Sequence, residues 1–292
     1  MADFAAPPPA ALVAAALVLG LLVGSFLNVV IYRLPIMMRR DWRRQCQEEL
    51  AQPAPALPEG RFSLVAPRSR CPACGKPIGA LQNLPVLSWL WLRGKCAACG
   101  ARISARYPSV ELLTGLLFAL TAWQLPWPGQ ALAGLVLTGS LIALTFIDFD
   151  EQLLPDAITL PLLWAGVIYN LAAGDAAFAS IESAVVGAVA GYLSLWLVYH
   201  GFRLATGKEG MGYGDFKLLA ALGAWLGWQM LPIIILLSAV VGAVLGVALI
   251  VVRGRDRQLP MPFGPFLAAA GWIALVWGPD LSAAWLRHAG LS

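Results

Sequence analysis

Six long stretches without a charged residue constrain this chain more than any other feature of its sequence. They cover residues 4–32, 112–147, 157–174, 183–202, 218–252 and 258–279. About 20 consecutive apolar residues are enough for one helix to cross the hydrocarbon core of a bilayer. Because 59% of the residues are hydrophobic and only 12% are charged, the chain is predicted to be an integral membrane protein rather than a pair of soluble domains.

Two of these stretches are too long for a single crossing. Residues 112–147 are interrupted at Pro126-Trp127-Pro128-Gly129, and residues 218–252 are expected to fold back near Pro232. Dividing both stretches gives about eight transmembrane helices. The predicted fold class is therefore an all-α polytopic membrane protein, with a small cytoplasmic four-cysteine domain between its first and second transmembrane helices.

The positions of Lys and Arg set the predicted orientation in the membrane. Residues 33–106 contain 13 of the 20 basic residues but only 4 of the 16 acidic ones, so this segment should be cytoplasmic. The N-terminus then lies outside, and eight crossings return the C-terminus to the same side. The same count places Asp148, Asp215 and the cluster Arg253–Arg257 on the cytoplasmic side.

Three regions follow from these boundaries. Residues 1–35 form the first transmembrane helix, which is expected to be retained because no Lys or Arg precedes its apolar run. Residues 36–106 form a cytoplasmic linker and the four-cysteine domain. The linker, residues 36–60, is polar, has prolines at positions 53, 55 and 58, and is expected to lack a packed core. Residues 107–292 form the main transmembrane domain.

Four cysteines form two pairs in the cytoplasmic region, Cys71-Pro72-Ala73-Cys74 and Cys96-Ala97-Ala98-Cys99, with 21 residues between them. Two CxxC pairs at this spacing are typical of a tetrahedral metal site with four thiolate ligands. A cytoplasmic location disfavours disulfides, the main competing interpretation. The prediction is a zinc site, and because four protein ligands would close it, the expected role of zinc is structural.

Two aspartates lie at the ends of apolar runs. Asp215 follows Gly212-Tyr213-Gly214 and precedes one run, while Asp148 closes another at Phe146-Ile147-Asp148. A carboxylate at such a position is costly, which indicates a function, although Asp215 could also cap a helix. Glycines at positions 207, 210, 212 and 214 predict a pliable loop rather than a rigid helix before Asp215. We predict that both aspartates meet at one membrane face and cleave a peptide there.

Two neighbouring carboxylates suit peptide hydrolysis without a metal ion or a covalent intermediate. Ionising both would place two negative charges side by side, which is unfavourable, so they share one proton. The ionised carboxylate takes a proton from a water molecule, and the protonated one donates to the scissile carbonyl oxygen. Histidine occurs only at positions 200 and 288, so a histidine-dependent triad is poorly supported.

Other polar residues beside the apolar runs have simpler explanations. Ser25 and Asn28 lie three residues apart and would share a helix face, where hydrogen bonding between helices is preferred over catalysis. Glu111 opens the second apolar stretch, and either the helix dipole or a function would explain it. Asp156 could cap the helix that follows it.

Five segments together resemble those of bacterial type IV prepilin peptidases, which are GxGD-type intramembrane aspartyl proteases. These segments are Gly24–Pro35, the two cysteine pairs, Tyr107–Glu111, Phe146–Asp156 and Glu209–Lys217. The resemblance implies a bifunctional enzyme of the bacterial inner membrane. Such an enzyme removes the basic leader peptide of prepilins and pseudopilins on the cytoplasmic side, then N-methylates the new N-terminal residue with S-adenosylmethionine. The implied catalytic residues are Asp148 and Asp215, and the implied zinc ligands are Cys71, Cys74, Cys96 and Cys99.

The implied leader is basic, so acidic residues near the aspartates are expected to receive it: Asp150, Glu151, Asp156 and Glu209. The basic cytoplasmic segment is expected to face anionic lipid headgroups instead, and no nucleic-acid partner is expected. Composition gives no site for the methyl donor. Two other functions stay open. A transporter or channel could use the carboxylates as a proton relay near mid-membrane, and a non-catalytic assembly factor could bind pilin helices.

Overall fold

The computed structural model describes residues 10–50, 62–125, 127–253 and 261–288. Within these ranges the backbone forms nine α-helices and no β-strand. The helices are α1 (Ala10–Glu49), α2 (Leu87–Trp91), α3 (Arg106–Gln124), α4 (Pro128–Glu151), α5 (Asp156–Ala172), α6 (Ile181–Thr206), α7 (Tyr213–Leu226), α8 (Leu231–Arg253) and α9 (Gly264–His288).

Every helix except the short α2 contains one of the predicted apolar spans, so the all-α class is confirmed. The two long stretches also divide where prolines and glycines predicted a break. The first divides between α3 and α4, and the second divides at Gly227, just before Pro232. By length and composition, five helices can cross a membrane, namely α1, α4, α6, α8 and α9, while α5 is apolar but shorter. The number of crossings stays a prediction.

Helix α1 continues far beyond its apolar part. With 40 residues, it is about 60 Å long, roughly twice the hydrocarbon thickness of a bilayer. Residues 36–49 of the predicted linker are helical, because Arg, Gln and Glu are good helix formers and Pro35 is accommodated inside the helix. Residues 51–60 of that linker lie outside the described residues.

Residues Pro8–Leu120 form one of two compact units. Within it, α1 and α3 run antiparallel and very close together. A Cβ atom added to Gly20 would lie 2.8 Å from the Cα atom of Gly115, and one added to Gly24 would lie 2.7 Å from the Cα atom of Glu111. Small residues at a helix crossing permit this approach in a membrane protein.

Polar side chains join the same two helices, as the sequence predicted for Ser25 and Asn28. The Asn28 amide donates to the carbonyl oxygen of Tyr107 at 3.1 Å, and the Ser25 side chain hydrogen-bonds to Glu111. The Glu111 carboxylate also accepts the N–H of Val86 at 2.8 Å. These residues therefore serve the packing of α1 on α3.

The second compact unit contains Thr121–Ser292 and is built around α7. Eleven of the 14 residues of α7 are buried, and α7 contacts α5, α6, α8 and α9. A helix that is apolar on every side is typical of the centre of a bundle. By contrast, α6 and α8 expose rows of Val and Leu on their outer faces, as expected for helices that face lipid.

Glycines and one buried amide hold α7 in place. Gly187 of α6 lies directly against Gly223 of α7, since a Cβ atom added to Gly187 would lie 2.8 Å from the carbonyl carbon of Gly223. On another side of α7, the Asn170 amide of α5 donates to the carbonyl oxygens of Ala224 and Trp225 at 2.9 Å each. Its oxygen accepts two N–H groups from the α5–α6 connection.

Candidate functional site

Asp148 lies in the last turn of α4 on its buried side, and only 5% of its surface is exposed. Helix α4 is buried along most of its length, which fixes the direction of this side chain. The carboxylate accepts the backbone N–H of Gly264, the first residue of α9. Asp148 therefore links the end of one helix to the beginning of another.

Asp215 is the third residue of α7 and is 6% exposed. Residues 207–212, which precede α7, form no regular helix, as the glycines predicted. Gly212 has extended backbone angles and caps α7 without a side chain. Its N–H donates to the Asp215 carboxylate, so this carboxylate lies at the positive end of a helix.

The structure brings these two carboxylates together around one leucine. Leu154, in the turn between α4 and α5, packs against Gly214, which precedes Asp215. The same leucine packs against Gly264, which touches Asp148. The two residues lie close enough for their charges to interact. Two acids that are 67 positions apart in the sequence thus form one buried pair within the second unit.

The four acids expected to receive a basic leader differ in their surroundings. Asp150 and Glu151 are exposed in the last turn of α4. Asp156 does not cap α5 as expected, because Pro155 occupies the cap position and the carboxylate turns towards Lys217 of α7. Both Asp156 carboxylate oxygens accept hydrogen bonds from the Lys217 ammonium at 2.7 Å. The Glu209 carboxylate forms an ion pair with Arg203, with 4.0 Å between Oε1 and the guanidinium nitrogen.

Gly264 and Leu154 are site residues that the sequence did not single out. Gly264 belongs to Pro262-Phe263-Gly264-Pro265, at the beginning of α9. Leu154 is an aliphatic residue in an acidic segment, and no local pattern distinguishes it from its neighbour Leu153. Their importance depends on distances between three helices, which no local pattern in the sequence reports.

A second cluster, in the first unit, contains the four paired cysteines. The sulfur atoms of Cys71, Cys74, Cys96 and Cys99 all lie within 4.8 Å of one another. Tetrahedral zinc with Zn–S bonds of about 2.3 Å needs sulfur atoms roughly 3.8 Å apart, and the sulfurs of Cys71 and Cys99 are separated by 3.9 Å. The cluster could therefore hold a metal ion.

The two cysteine pairs have the same backbone geometry. In each, the first cysteine's N–H donates to a carbonyl five residues later, at 2.9 Å for Cys71 and 2.8 Å for Cys96. Glycine follows each pair with φ near +70° at Gly75 and Gly100, a conformation that glycine adopts without strain. The N–H of Ala98 donates to the Cys96 sulfur. This bond and a second backbone hydrogen bond, from Cys99, lower the pKa of Cys96 to about 6, favouring the thiolate that a metal ion requires.

Trp89 stabilises the segment between the cysteine pairs. Its indole N–H donates to the carbonyl oxygen of Ile103 at 3.2 Å, and its ring packs against Gly94, where φ is +66°. Trp91, in contrast, is exposed. One tryptophan thus packs within the four-cysteine region, and the other presents its ring to the surroundings.

Two family descriptions match the chain. The bacterial peptidase A24 N-terminal domain matches residues 18–125, and the type IV leader peptidase family matches residues 135–247. A prepilin leader peptidase/N-methyltransferase from Stutzerimonas stutzeri is 58% identical over 290 residues, 99% of each chain. A protein of the same name from Aeromonas hydrophila is 56% identical over 92% of this chain and 91% of its own length. One from Pseudomonas aeruginosa is 53% identical over 99% of this chain and 98% of its own length. No solved structure matches the chain.

Proposed function

Since this chain belongs to the type IV leader peptidase family, we propose that it is a membrane-embedded aspartyl endopeptidase that removes the basic leader of type IV prepilins and pseudopilins. We propose further that it N-methylates the new N-terminal residue, an activity that its relatives' names include. The observation that carries the protease is the buried pair of Asp148 and Asp215, which the packing of Leu154 brings together.

In this proposal the two carboxylates share one proton. The ionised member removes a proton from a water molecule, and that water attacks the scissile carbonyl carbon. The protonated member donates to the carbonyl oxygen, and a proton is later passed to the leaving amine. The mechanism needs a water molecule and two carboxyl groups with no covalent intermediate, which suits a site built from helix ends.

A proton-relay transporter is the competing function for buried carboxylates in a membrane protein. Such a relay requires carboxylates along the path through the bilayer. Here Asp148 lies in the last turn of α4 and Asp215 lies in the first turn of α7. Both acids are thus at helix ends, which supports the protease.

The experiment that tests the proposal is incubation of the detergent-purified protein with a prepilin and a labelled methyl donor. A shortened product that carries the label is expected. A full-length prepilin that stays bound would favour the non-catalytic assembly factor, and a shortened but unlabelled product would reject only the methylation.

We propose zinc as the metal held by Cys71, Cys74, Cys96 and Cys99, with a structural role. The support is the four converging sulfurs and the matching backbone of the two pairs. Four thiolates fill a tetrahedral shell, so no position is left for a substrate. S-adenosylmethionine is proposed as the methyl donor, which would supply a methyl group from a sulfonium. We assign it no residue, since the described residues form no glycine-rich strand-to-helix turn.

The proposed location is the bacterial inner membrane, with both termini periplasmic and the aspartate pair facing the cytoplasm. The excess of Lys and Arg in residues 33–106 supports this orientation. Anionic lipid headgroups are the proposed partners of that basic segment. The membrane-spanning lengths of α1, α4, α6, α8 and α9 support a multi-pass arrangement.

The basic leader is proposed to contact the acids near the pair, namely Asp150, Glu151, Asp156 and Glu209. Of these, Asp156 is neutralised by Lys217, so a leader lysine or arginine would have to displace that ammonium. Changing all four acids to Asn or Gln should weaken leader binding and raise KM. Unchanged leader binding in this variant would reject the assignment.

A further inference from the structure

The Asp148 carboxylate lies against a backbone position that has no side chain. Gly264 donates its N–H to this carboxylate, and a Cβ atom added to Gly264 would lie 2.6 Å from Asp148 Oδ2. The same atom would lie 3.1 Å from both terminal carbons of Leu154. Ordinary contact begins near 3.4 Å, so a methyl group would fit here only if the Asp148 carboxylate moved.

Backbone conformation does not explain the glycine. Gly264 has a φ outside the left-handed region, unlike Gly207 or Gly227, so an L-residue could adopt the same backbone. What excludes a side chain at Gly264 is the space that Asp148 and Leu154 occupy.

Leu154 also contacts the other half of the pair. A Cβ atom added to Gly214 would lie 2.7 Å from the Cβ atom of Leu154, and Gly214 directly precedes Asp215. Leu154 is itself 6% exposed, which leaves it little room to move. One leucine thus fills the space between the first turn of α9, next to Asp148, and the first turn of α7, which carries Asp215.

Building on the proposed peptidase function, we propose that Gly264 and Leu154 are positioning residues of the aspartate pair. The N–H of Gly264 orients the Asp148 carboxylate, and Leu154 sets the spacing between the helix ends that carry the two acids. Neither residue exchanges a proton with the substrate.

The first test compares Gly264→Ala with Gly129→Ala in the full-length protein. Both glycines lie in the first turn of a helix, α9 and α4, but nothing lies within 4 Å of a Cβ atom added to Gly129. The methyl group at Gly264 must displace the carboxylate by about 0.8 Å, and a misplacement of about 1 Å can reduce the rate by about a hundredfold. We expect kcat to fall roughly 10- to 100-fold with KM within about twofold.

The second test combines Leu154→Ala with Gly264→Ala in a double-mutant cycle. Leu154→Ala alone should lower kcat, because the spacing between the helix ends that carry the two acids is lost. Since both residues act on the same aspartate pair, the double variant should lose less activity than the two single losses combined. Two independent packing defects would instead give losses that add.

Three results would overturn the proposal: equal activity in Gly264→Ala and Gly129→Ala, a loss confined to KM, or fully additive losses in the double variant. If Gly264→Ala does not accumulate as folded protein, Leu154→Ala decides by itself, since a kcat equal to that of the wild type would overturn the proposal. The wild-type control separates the two proposals. A wild-type protein that leaves prepilin uncut rejects the peptidase, whereas cleavage by the wild type and by Gly264→Ala alike rejects only the positioning role.

Discussion

The crossing of α6 and α7 makes Gly187→Ala the substitution with the most clearly defined structural cost. A Cβ atom at Gly187 would lie 2.8 Å from the carbonyl carbon of Gly223, 2.9 Å from the backbone nitrogen of Trp228, and closer still to the Gly223 oxygen. All three are backbone atoms, so no side chain can rotate away. The two helices would have to separate.

The size of the effect follows from the geometry. Ordinary contact begins near 3.4 Å, so α6 and α7 must move apart by at least about 0.6 Å, an overpacking that costs roughly 1–3 kcal/mol. In an open helix position the same substitution gains about 0.5–1 kcal/mol, because alanine is the better helix former. Gly201, also in α6, offers that matched control, since nothing lies within 4 Å of a Cβ atom added there.

The assay is thermal unfolding of each variant in the same detergent, followed by prepilin cleavage. Gly187→Ala should unfold at a lower temperature than the wild type, and Gly201→Ala should unfold at the same or a higher temperature. Because α7 carries Asp215, Gly187→Ala should also cleave more slowly. Equal unfolding temperatures for the two alanine variants would refute the reasoning about this helix crossing.

Two further predictions concern the metal site and the core. The purified protein should contain one zinc ion per chain, and Cys71→Ser together with Cys96→Ser should remove it, as measured by elemental analysis; a zinc content unchanged by these substitutions would contradict the four-cysteine site. Replacing Asn170 by Ala leaves two carbonyl oxygens and two N–H groups without their partner, which should cost at least about 2 kcal/mol. The check is chemical denaturation in detergent, and a loss below about 0.5 kcal/mol would mean that water replaces the amide.

The sequence predicted those features that depend on local spacing. The CxxC pairs predicted a cluster of four cysteines, and the sulfurs converge. Charge-free stretches predicted the helices, and Pro128 and Gly227 mark the breaks between them. The glycines before Asp215 predicted a loop, and α7 begins only at Tyr213. Each of these features follows from a few neighbouring residues, whatever the rest of the chain does.

Features that depend on distant contacts were missed. Asp156 looked like a helix cap, but its partner Lys217 lies 61 residues away in the sequence. Gly264 and Leu154 resemble ordinary residues of a turn and a helix start until the structure places them against the aspartates. Long-range packing therefore determines the surroundings of Asp156, Gly264 and Leu154.

Cleavage of a prepilin by Asp148→Asn and Asp215→Asn tests the central claim most directly. Asparagine has nearly the shape of aspartate but cannot take a proton from water, so each variant should insert, fold and keep its zinc while losing all measurable cleavage. Wild-type protein and Asp175→Asn, which changes an exposed acid in the α5–α6 connection, should both yield the shortened product. Substantial cleavage by either Asp148→Asn or Asp215→Asn would contradict the account.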